Sequence, residues 1–317
     1  MLYSVRHITR FRYKPAVRES MIELRMQPRS EGNQRCLSFD LKVKPDAVVI
    51  QYRDFLGNVV HHFDIAGKHT ELSINAQSVV EILPPATLQR NSAPGWSQLD
   101  AAIAAGNYWE TLLPSDFARP TPLLSGLAHE LQIDRKATPL ETLLYVTHAI
   151  HETFSYVPQS TTVDSPIDDA LAERRGVCQD FAHIMIALVR QLKIPCRYVS
   201  GYLFHANGDQ VTTAEGASHA WIEAYLPGVG WSGFDPTNNT ICGERHIRVA
   251  VGRDYAEVPP TRGVYKGGGE SELSVSVTVS LSDSPAPEGT SLMVERRVPP
   301  PLVDNYLARQ EQEQQQQ

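Results

Sequence analysis

One cysteine stands where a helix is predicted to begin. Cys178 follows Gly176 and opens the segment 179–193, whose apolar side chains recur at helical spacing. A thiol at a helix start faces free backbone N–H groups and the positive end of the helix dipole, which favour a thiolate and can hold an oxyanion. A buried structural role is the alternative for a free cysteine. The polar neighbours Gln179 and Asp180 favour the reactive role.

A histidine and an aspartate follow on two strand-like runs that predict a hairpin. The run 218–226 alternates and places His219 on the same side as Trp221. The next run, 230–234, ends at Asp235, where a proline forces the chain to turn. The hairpin would bring Asp235 beside His219. With the cysteine, the pair completes a nucleophile, a general base and a carboxylate that orients the base.

Four further residues are candidates for oxyanion or substrate support, namely Tyr156, Gln179, Asp180 and Trp221. The hydroxyl or local backbone of Tyr156 could support an oxyanion, but a core tyrosine with a satisfied hydroxyl fits equally. Asp180 could orient a substrate amine or stabilise the first turn of its helix. Trp221 could wall a substrate groove or pack in the core.

The composition is that of a globular protein, and it excludes several partner classes. The length of 317 residues suggests about two domains. The net charge of −7 argues against nucleic acid, and no apolar run approaches the roughly 18 residues of a membrane span. Residues 1–35 are an exception, with eight Lys and Arg against three Glu. This excess indicates either an anion-binding face or the solvated side of edge strands.

The four cysteines, Cys36, Cys178, Cys196 and Cys242, are too few for a disulfide framework in a chain of this length, and they form no CxxC pair. The first residues carry charges where a signal peptide needs an apolar stretch. We therefore expect a cytoplasmic location, where at least one thiol stays reduced and available for chemistry. We expect no cofactor, and the oligomeric state stays open.

Residues 1–85 are predicted to form a small β-rich, sandwich-like domain. Alternating runs occupy 2–11, 37–43, 48–52, 59–63 and the positions from 72 onward, with a turn at 54–58. Residues 86–137 are predicted to be a connector with short helices near 97–104 and 123–131.

The predicted catalytic domain covers 138–285. Thr138, a following proline and Glu141 form a capping box that starts a helix, and a second helix is predicted from Ser165 to Gly176. Strand-like runs lie at 196–204, 218–226, 230–234 and 271–280. The C-terminal extension is 286–317, and its glutamine-rich end predicts disorder after about 304.

Three ordered segments, GVCQDFAH, SHAWIEAYLPGVGW and FDPTNN, resemble the bacterial transglutaminase-like superfamily, in the branch described as cysteine peptidases. The resemblance covers 140–240 and extends to the opening YSVRHITRFRY and to 246–268. It implies that Cys178, His219 and Asp235 are the catalytic triad. It also implies an α+β fold of the papain and transglutaminase kind, in which a helix bearing the cysteine packs on an antiparallel sheet bearing the histidine and the aspartate.

The predicted reaction is acyl transfer through a thioester. The thiolate attacks an amide or ester carbonyl, the histidine protonates the leaving group, and water or an amine resolves the acyl-enzyme. We expect hydrolysis of a peptide or protein amide, with amine acyl transfer of the transglutaminase type as the alternative. A non-catalytic peptide-binding module on the same fold is a third reading. A metal site built from Cys178, His183, His205 and His219 is a fourth, but it lacks any short paired-ligand spacing.

Overall fold

Two large antiparallel sheets, one short parallel pair of strands and six α-helices are the main elements of the part of the chain that the computed structural model describes, residues 1–84, 95–106, 108–205, 218–267 and 270–282. The fold is α+β, as predicted. The described residues belong to one compact unit. The predicted disorder after about 304 lies outside the described residues, and the domain boundaries stay predictions. No helix among the described residues has the length and apolar character to cross a membrane.

The N-terminal sheet is built on two long strands. β1 (Leu2–Leu24) and β4 (Val59–Ile82) pair with each other, and β2 (Gln34–Lys44) and β3 (Ile50–Arg53) pair with β4. Shifts in register interrupt the β1–β4 pairing near its middle. Buried residues from both halves of β4 share one cluster with Val17, Ile22 and Leu24 from the second half of β1.

The last two strands of the described chain also belong to the N-terminal sheet. β12 (Thr261–Lys266) pairs with the second half of β1, and β13 (Glu270–Leu281) pairs with its first half. The predicted catalytic range 138–285 contains both strands. Alternation along a strand shows which side chains are buried, but it does not show which strand is the neighbour.

The second sheet carries the predicted histidine and aspartate. Its strands are β7 (Cys196–Leu203), β8 (His219–Leu226), β9 (Gly230–Asp235), β10 (Thr240–Ile241) and β11 (His246–Gly252), in the order β10-β9-β8-β7-β11. The predicted hairpin of β8 and β9 is present. β10 and β11 lie at opposite edges of the sheet, so the few residues between them must cross the ends of the three central strands.

Six helices cover one face of this sheet. They are α1 (Trp96–Ala105), α2 (Trp109–Leu112), α3 (Pro122–Glu130), α4 (Pro139–Thr153), α5 (Ile167–Glu173) and α6 (Cys178–Gln191). α6 is central, because its side chains and alternate residues of β8 (Ala220, Ile222, Ala224, Leu226) share the largest buried cluster. At the start of α4, the Thr138 side chain accepts a hydrogen bond from the Glu141 N–H at 3.1 Å, as the capping pattern predicts.

The predicted end of α5 at Gly176 is wrong by three residues. Arg174 adopts a left-handed backbone conformation (φ 52°) and ends the helix at Glu173. The next two residues form a short strand, β6 (Arg175–Gly176), parallel to β5 (Ser155–Tyr156). A glycine is the usual residue for a left-handed helix end, and here an arginine adopts that conformation instead.

Two buried amides fasten the N-terminal region to β11. Asn58 Nδ2 donates to the carbonyl of Val251 at 2.8 Å, and Asn58 Oδ1 accepts from the N–H of the same residue at 2.8 Å. Gln34 makes the same pair of bonds with Arg248, also at 2.8 Å each. Each side-chain amide forms with β11 the two hydrogen bonds that the main chain of a neighbouring strand would form. β11, otherwise an edge strand, is thereby held on both sides.

Candidate active site

Cys178 is the first residue of α6, and the chain enters the helix through a cap. Val177 is extended (φ −112°, ψ 177°), and its N–H donates to Asp180 Oδ2 at 2.8 Å. The first intrahelical bond runs from the Phe181 N–H to the Val177 carbonyl, so the N–H groups of Cys178 and Gln179 precede the hydrogen-bonded turns. The Cys178 side chain is half-buried. The structure therefore places the thiol beside backbone donors that can hold an oxyanion.

His219 and Asp235 meet at one end of the β8–β9 hairpin. His219 Nε2 lies 2.8 Å from Asp235 Oδ2, and the two residues are 3% and 0% exposed. Because Nε2 faces the carboxylate, Nδ1 is the ring nitrogen available to the thiol. Cys178 is close enough to His219 to affect the protonation of the imidazole. The structure thus brings together the three residues that the sequence selected.

Charges at this site favour a protonated His219. Burial disfavours the imidazolium, but the charge and hydrogen bond of Asp235, with a smaller contribution from Cys178, raise the pKa of His219 to about 10. Burial alone would raise the pKa of Asp235, because it disfavours the carboxylate, yet His219 and His246 hold this pKa well below its usual range. At neutral pH the site therefore contains an imidazolium beside an ionised carboxylate.

The other three cysteines are in a different electrostatic environment. Burial raises the pKa of Cys36 to about 12 and that of Cys196 to about 11, despite hydrogen bonds or charges that oppose it. Burial, with the nearby carboxylates of Asp235 and Glu223, also raises the pKa of Cys242 well above its ordinary value. These three thiols are thus held in the unreactive, protonated form.

His246 contacts the same carboxylate, and the sequence analysis did not select it. Its Nε2 lies 3.1 Å from Asp235 Oδ2, and the residue is 8% exposed. Its Nδ1 accepts a hydrogen bond from the Gly243 N–H at 3.4 Å. A backbone N–H can only donate, so the proton of the neutral ring is on Nε2 and His246 donates to Asp235. The sequence signal was present, because His246 opens the segment 246–268 that contributed to the family resemblance.

One nitrogen of His219, one of His246 and one oxygen of Asp235 lie within 4.8 Å of one another, as in a two-histidine, one-carboxylate metal site. The donors do not fit a metal ion. The His246 nitrogen carries a proton, and Asn238 Nδ2 donates to the same carboxylate oxygen at 2.7 Å. Among the described residues this is the one such cluster, and it shares only His219 with the metal set considered from the sequence.

The predicted support residues are placed as follows. Tyr156 pairs in register with Gly176, two residues before the cysteine, and its ring meets Phe181 edge-on at 6.5 Å. Gln179 Nε2 donates to the carbonyl of Val163 at 3.0 Å, so its amide holds a neighbouring loop. Asp180 is 1% exposed, and besides the Val177 N–H it accepts from the Thr161 hydroxyl at 2.6 Å. Of the two roles considered for Asp180, these contacts match the helix cap.

Trp221 lies on the outer face of the sheet, across from α6. It is 1% exposed, and its ring centroid is 5.9 Å from that of His219 and 5.2 Å from that of His246. Gly201 makes this position possible, because a Cβ there would collide with the indole. Trp221 and His246 also line a cavity of about 690 Å³ that reaches Asn33 of the N-terminal region. Trp221 therefore packs against the rings of His219 and His246, and it borders this cavity on the face of the sheet away from α6.

Arg253 and Asp254, which follow β11 within the segment 246–268, hold neighbouring parts of the chain together. Asp254 Oδ2 accepts from the Phe117 N–H and its Oδ1 from the Ala256 N–H, both at 2.9 Å. The carbonyl of Arg253 accepts from buried Arg190 of α6 at 2.8 Å. These two residues thus join the end of β11 to α6 and to Phe117 of the predicted connector.

The fold and the Cys–His–Asp arrangement define a core of the papain and transglutaminase kind. Two family models match the chain. The model described as "Bacterial transglutaminase-like N-terminal region" matches residues 3–81, and the one described as "Transglutaminase-like superfamily" matches residues 127–236. The chain belongs to the transglutaminase-like superfamily and carries its bacterial N-terminal region. This confirms the resemblance that the three sequence segments indicated.

Similar proteins agree with this assignment. An uncharacterized protein of Mycobacterium leprae is 35% identical over 278 residues, which cover 86% of this chain and 96% of that protein. A protein-glutamine gamma-glutamyltransferase of Pseudomonas aeruginosa is 34% identical over 92 residues, which cover 27% of this chain and 14% of that protein. A solved structure named "Putative Cysteine Protease from Cytophaga hutchinsonii" has a TM-score of 0.73 at 22% identity, with 90% of this chain and 91% of that chain covered. At this identity the likeness shows the fold alone.

Proposed function

We propose that this protein is a cysteine-nucleophile acyl-transfer enzyme that hydrolyses an amide bond in a peptide or protein. Cys178 Sγ attacks the carbonyl carbon, and the His219 imidazolium gives its proton to the departing amine as the C–N bond breaks. The product is a thioester on Cys178. The neutral His219 then takes a proton from water, which attacks the thioester and releases the carboxylic acid.

The observation that carries this proposal is the position of His219. Its ring lies between a fully buried carboxylate at 2.8 Å and the thiol at the start of α6. The same contacts that raise the pKa of His219 favour the imidazolium that a thiolate needs as its partner. Burial of the pair excludes water from the Asp235 side, which strengthens this electrostatic support.

Amine acyl transfer is the second candidate, because one matching segment belongs to a protein-glutamine gamma-glutamyltransferase. The first half-reaction is the same in both candidates, so the two differ only in whether water or a primary amine attacks the thioester. The cytoplasmic location stays a prediction.

The test of the proposal is detection of the acyl-enzyme. The purified chain is mixed with p-nitrophenyl acetate, and the phenolate burst and the intact mass are followed. We expect a burst and an acetyl adduct on Cys178, both absent in Cys178→Ala and both retained in Cys36→Ala. A protein that gives no burst and no adduct while still folded would instead fit the non-catalytic binding module.

A second assay separates the two candidates. A blocked glutamine-containing peptide is offered with dansylcadaverine as the amine. Hydrolysis gives a mass increase of one unit on the glutamine side chain or cleavage of the peptide, whereas amine transfer gives a fluorescent conjugate. We expect the hydrolytic products, and a conjugate formed in large excess over them would favour the transferase.

A further inference from the structure

We propose that His246 is a positioning residue of the acyl-transfer site, which holds the Asp235 carboxylate against His219 as a neutral Nε2–H donor. This inference rests on the proposed function, because it assigns one more residue to the same reaction. His246 is not proposed to touch the substrate. It acts through Asp235.

The Asp235 carboxylate is oriented by contacts to both of its oxygens. Oδ1 accepts from the backbone N–H groups of Thr237 and Asn238 at 2.9 and 3.2 Å. Oδ2 accepts from His219, from His246 and from the Asn238 side chain at 2.8, 3.1 and 2.7 Å. Two donors besides His219 therefore share this oxygen's lone pairs. They fix its direction and reduce its basicity, so the proton of the imidazolium stays on His219.

His246 is suited to this role because it stays neutral beside a protonated His219. Burial, with the positive charges of His219 and Arg245, lowers the pKa of His246, while Asp235 opposes this shift. The Gly243 N–H occupies Nδ1 and leaves the proton on Nε2. The Trp221 ring packs nearly perpendicular to the His246 ring, with the two centroids 5.2 Å apart. The site thus contains one imidazolium, that of His219, and one neutral donor, His246, which contacts the Asp235 carboxylate.

The strand that carries His246 is held by the N-terminal region. β11 begins at His246, and the next residues of this strand receive the paired amide bonds from Gln34 and Asn58. A carboxylate held at 3.1 Å requires its donor to be fixed to a few tenths of an ångström. The N-terminal region therefore contributes to the site without offering it a reactive group.

The test compares two substitutions at His246 in the full chain. His246→Phe keeps a ring against Trp221 and removes the donor, whereas His246→Gln restores an N–H donor. The readout is the rate of Cys178 alkylation by iodoacetamide from pH 5 to 9, measured by mass spectrometry. The control is His7→Phe, which removes another buried imidazole. His7 lies on β1 of the N-terminal sheet, 2.9 Å from the Tyr202 hydroxyl.

We expect His246→Phe to slow alkylation at pH 7 about tenfold and to raise the pH of half-maximal rate by about one, because a hydrogen bond to a charged group contributes about that factor. His246→Gln should stay within about threefold of the unmodified protein. His7→Phe should lower the melting temperature without changing the rate profile. An unchanged profile in His246→Phe, or a His246→Gln as slow as His246→Phe, would overturn the inference.

A measurement on the unmodified protein covers the case in which His246→Phe does not fold. Long-range ¹H–¹⁵N spectra of the histidine rings, with His246→Gln used to assign the signals, should show His246 as the neutral Nε2–H tautomer from pH 6 to 8. An imidazolium or the Nδ1–H tautomer in that range would overturn the inference. If the unmodified protein alkylates Cys178 no faster than Cys36, the proposed function fails and this inference fails with it. Fast wild-type alkylation with unaffected His246 variants would remove this inference alone.

Discussion

Removal of the Asp235 carboxylate should leave His219 buried without the group that stabilises its charge. In the intact site the pKa of His219 is about 10, against an ordinary value of 6.5. At about 1.4 kcal/mol per pKa unit, this difference of about 3.5 corresponds to roughly 5 kcal/mol in favour of the imidazolium. In Asp235→Ala, burial would act with only the smaller contribution of Cys178 opposing it. The imidazolium would then no longer predominate at pH 7.

The expected result is a slower acylation that remains measurable. We expect Asp235→Ala to lower the burst rate with p-nitrophenyl acetate by roughly two to four orders of magnitude, because solvent that enters the site restores part of the lost stabilisation of the imidazolium. Cys178→Ala should give no burst, since no other group can form the thioester. His219→Ala should be nearly as inactive, because thiolate formation and leaving-group protonation both depend on this ring.

A matched control separates loss of chemistry from loss of fold. Asp254→Ala removes another buried carboxylate, whose oxygens accept hydrogen bonds from the backbone N–H groups of Phe117 and Ala256. It should destabilise the protein while the folded fraction keeps its burst rate. If folded Asp235→Ala proved as inactive as Cys178→Ala, Asp235 would have a direct chemical role. A rate within threefold of the unmodified protein would show that the carboxylate does not support the ring.

Three further outcomes are expected. Iodoacetamide should alkylate Cys178 faster near neutral pH than any other cysteine, because burial raises the pKa of Cys36 to about 12 and that of Cys196 to about 11. Asn58→Leu should lower the free energy of unfolding in urea by about 3 kcal/mol, since it leaves both a main-chain N–H and a main-chain carbonyl unpaired in the interior. The free energy of unfolding of the unmodified protein should exceed that of His219→Gln. This difference should be largest below about pH 6.5 and should decline as pH rises toward about 10, because folding raises the pKa of His219.

Each of these outcomes can be contradicted directly. Equal labelling of all four cysteines in the native protein would remove the basis for a special thiol at the start of α6. A loss below about 1 kcal/mol in Asn58→Leu would show that the paired amide bonds do not hold β11. The control is Asn75→Leu, which removes an amide whose hydrogen bond with Arg6 is exposed. A difference in unfolding free energy between the unmodified protein and His219→Gln that stayed constant from about pH 6.5 to about pH 10 would mean that His219 is neutral in the folded protein.

The sequence was sufficient for the parts of the site that depend on local structure. Gly176 and the apolar spacing of 179–193 predicted where α6 begins, and the proline after Asp235 predicted where β9 ends. The hairpin then placed His219 and Asp235 at the same end of neighbouring strands. These features depend on neighbours within about 20 residues, for which periodicity and turn residues are informative.

The remaining features depend on contacts between distant segments. His246 reaches Asp235 because the residues after β10 cross the ends of the central strands, and no local pattern fixes that path. The two roles of Asp180 could not be separated without the positions of Val177 and Thr161, which show its carboxylate capping the helix. The partners of β12 and β13 were similarly hidden, since alternation does not identify the neighbouring strand.

The pairing of β12 and β13 with β1 has a consequence for synthesis on the ribosome. β1 emerges early, but these two partners emerge only after the catalytic region has been made. Between Leu24 and Thr261 the delay is roughly 10 to 50 s at about 5–20 residues per second. Through that interval the nascent chain exposes an unpaired strand edge, together with apolar side chains such as Tyr3 and Val5 that later meet the second sheet. The N-terminal sheet is therefore completed only after residues 261–281 have emerged, and chains terminated before them would be prone to aggregate.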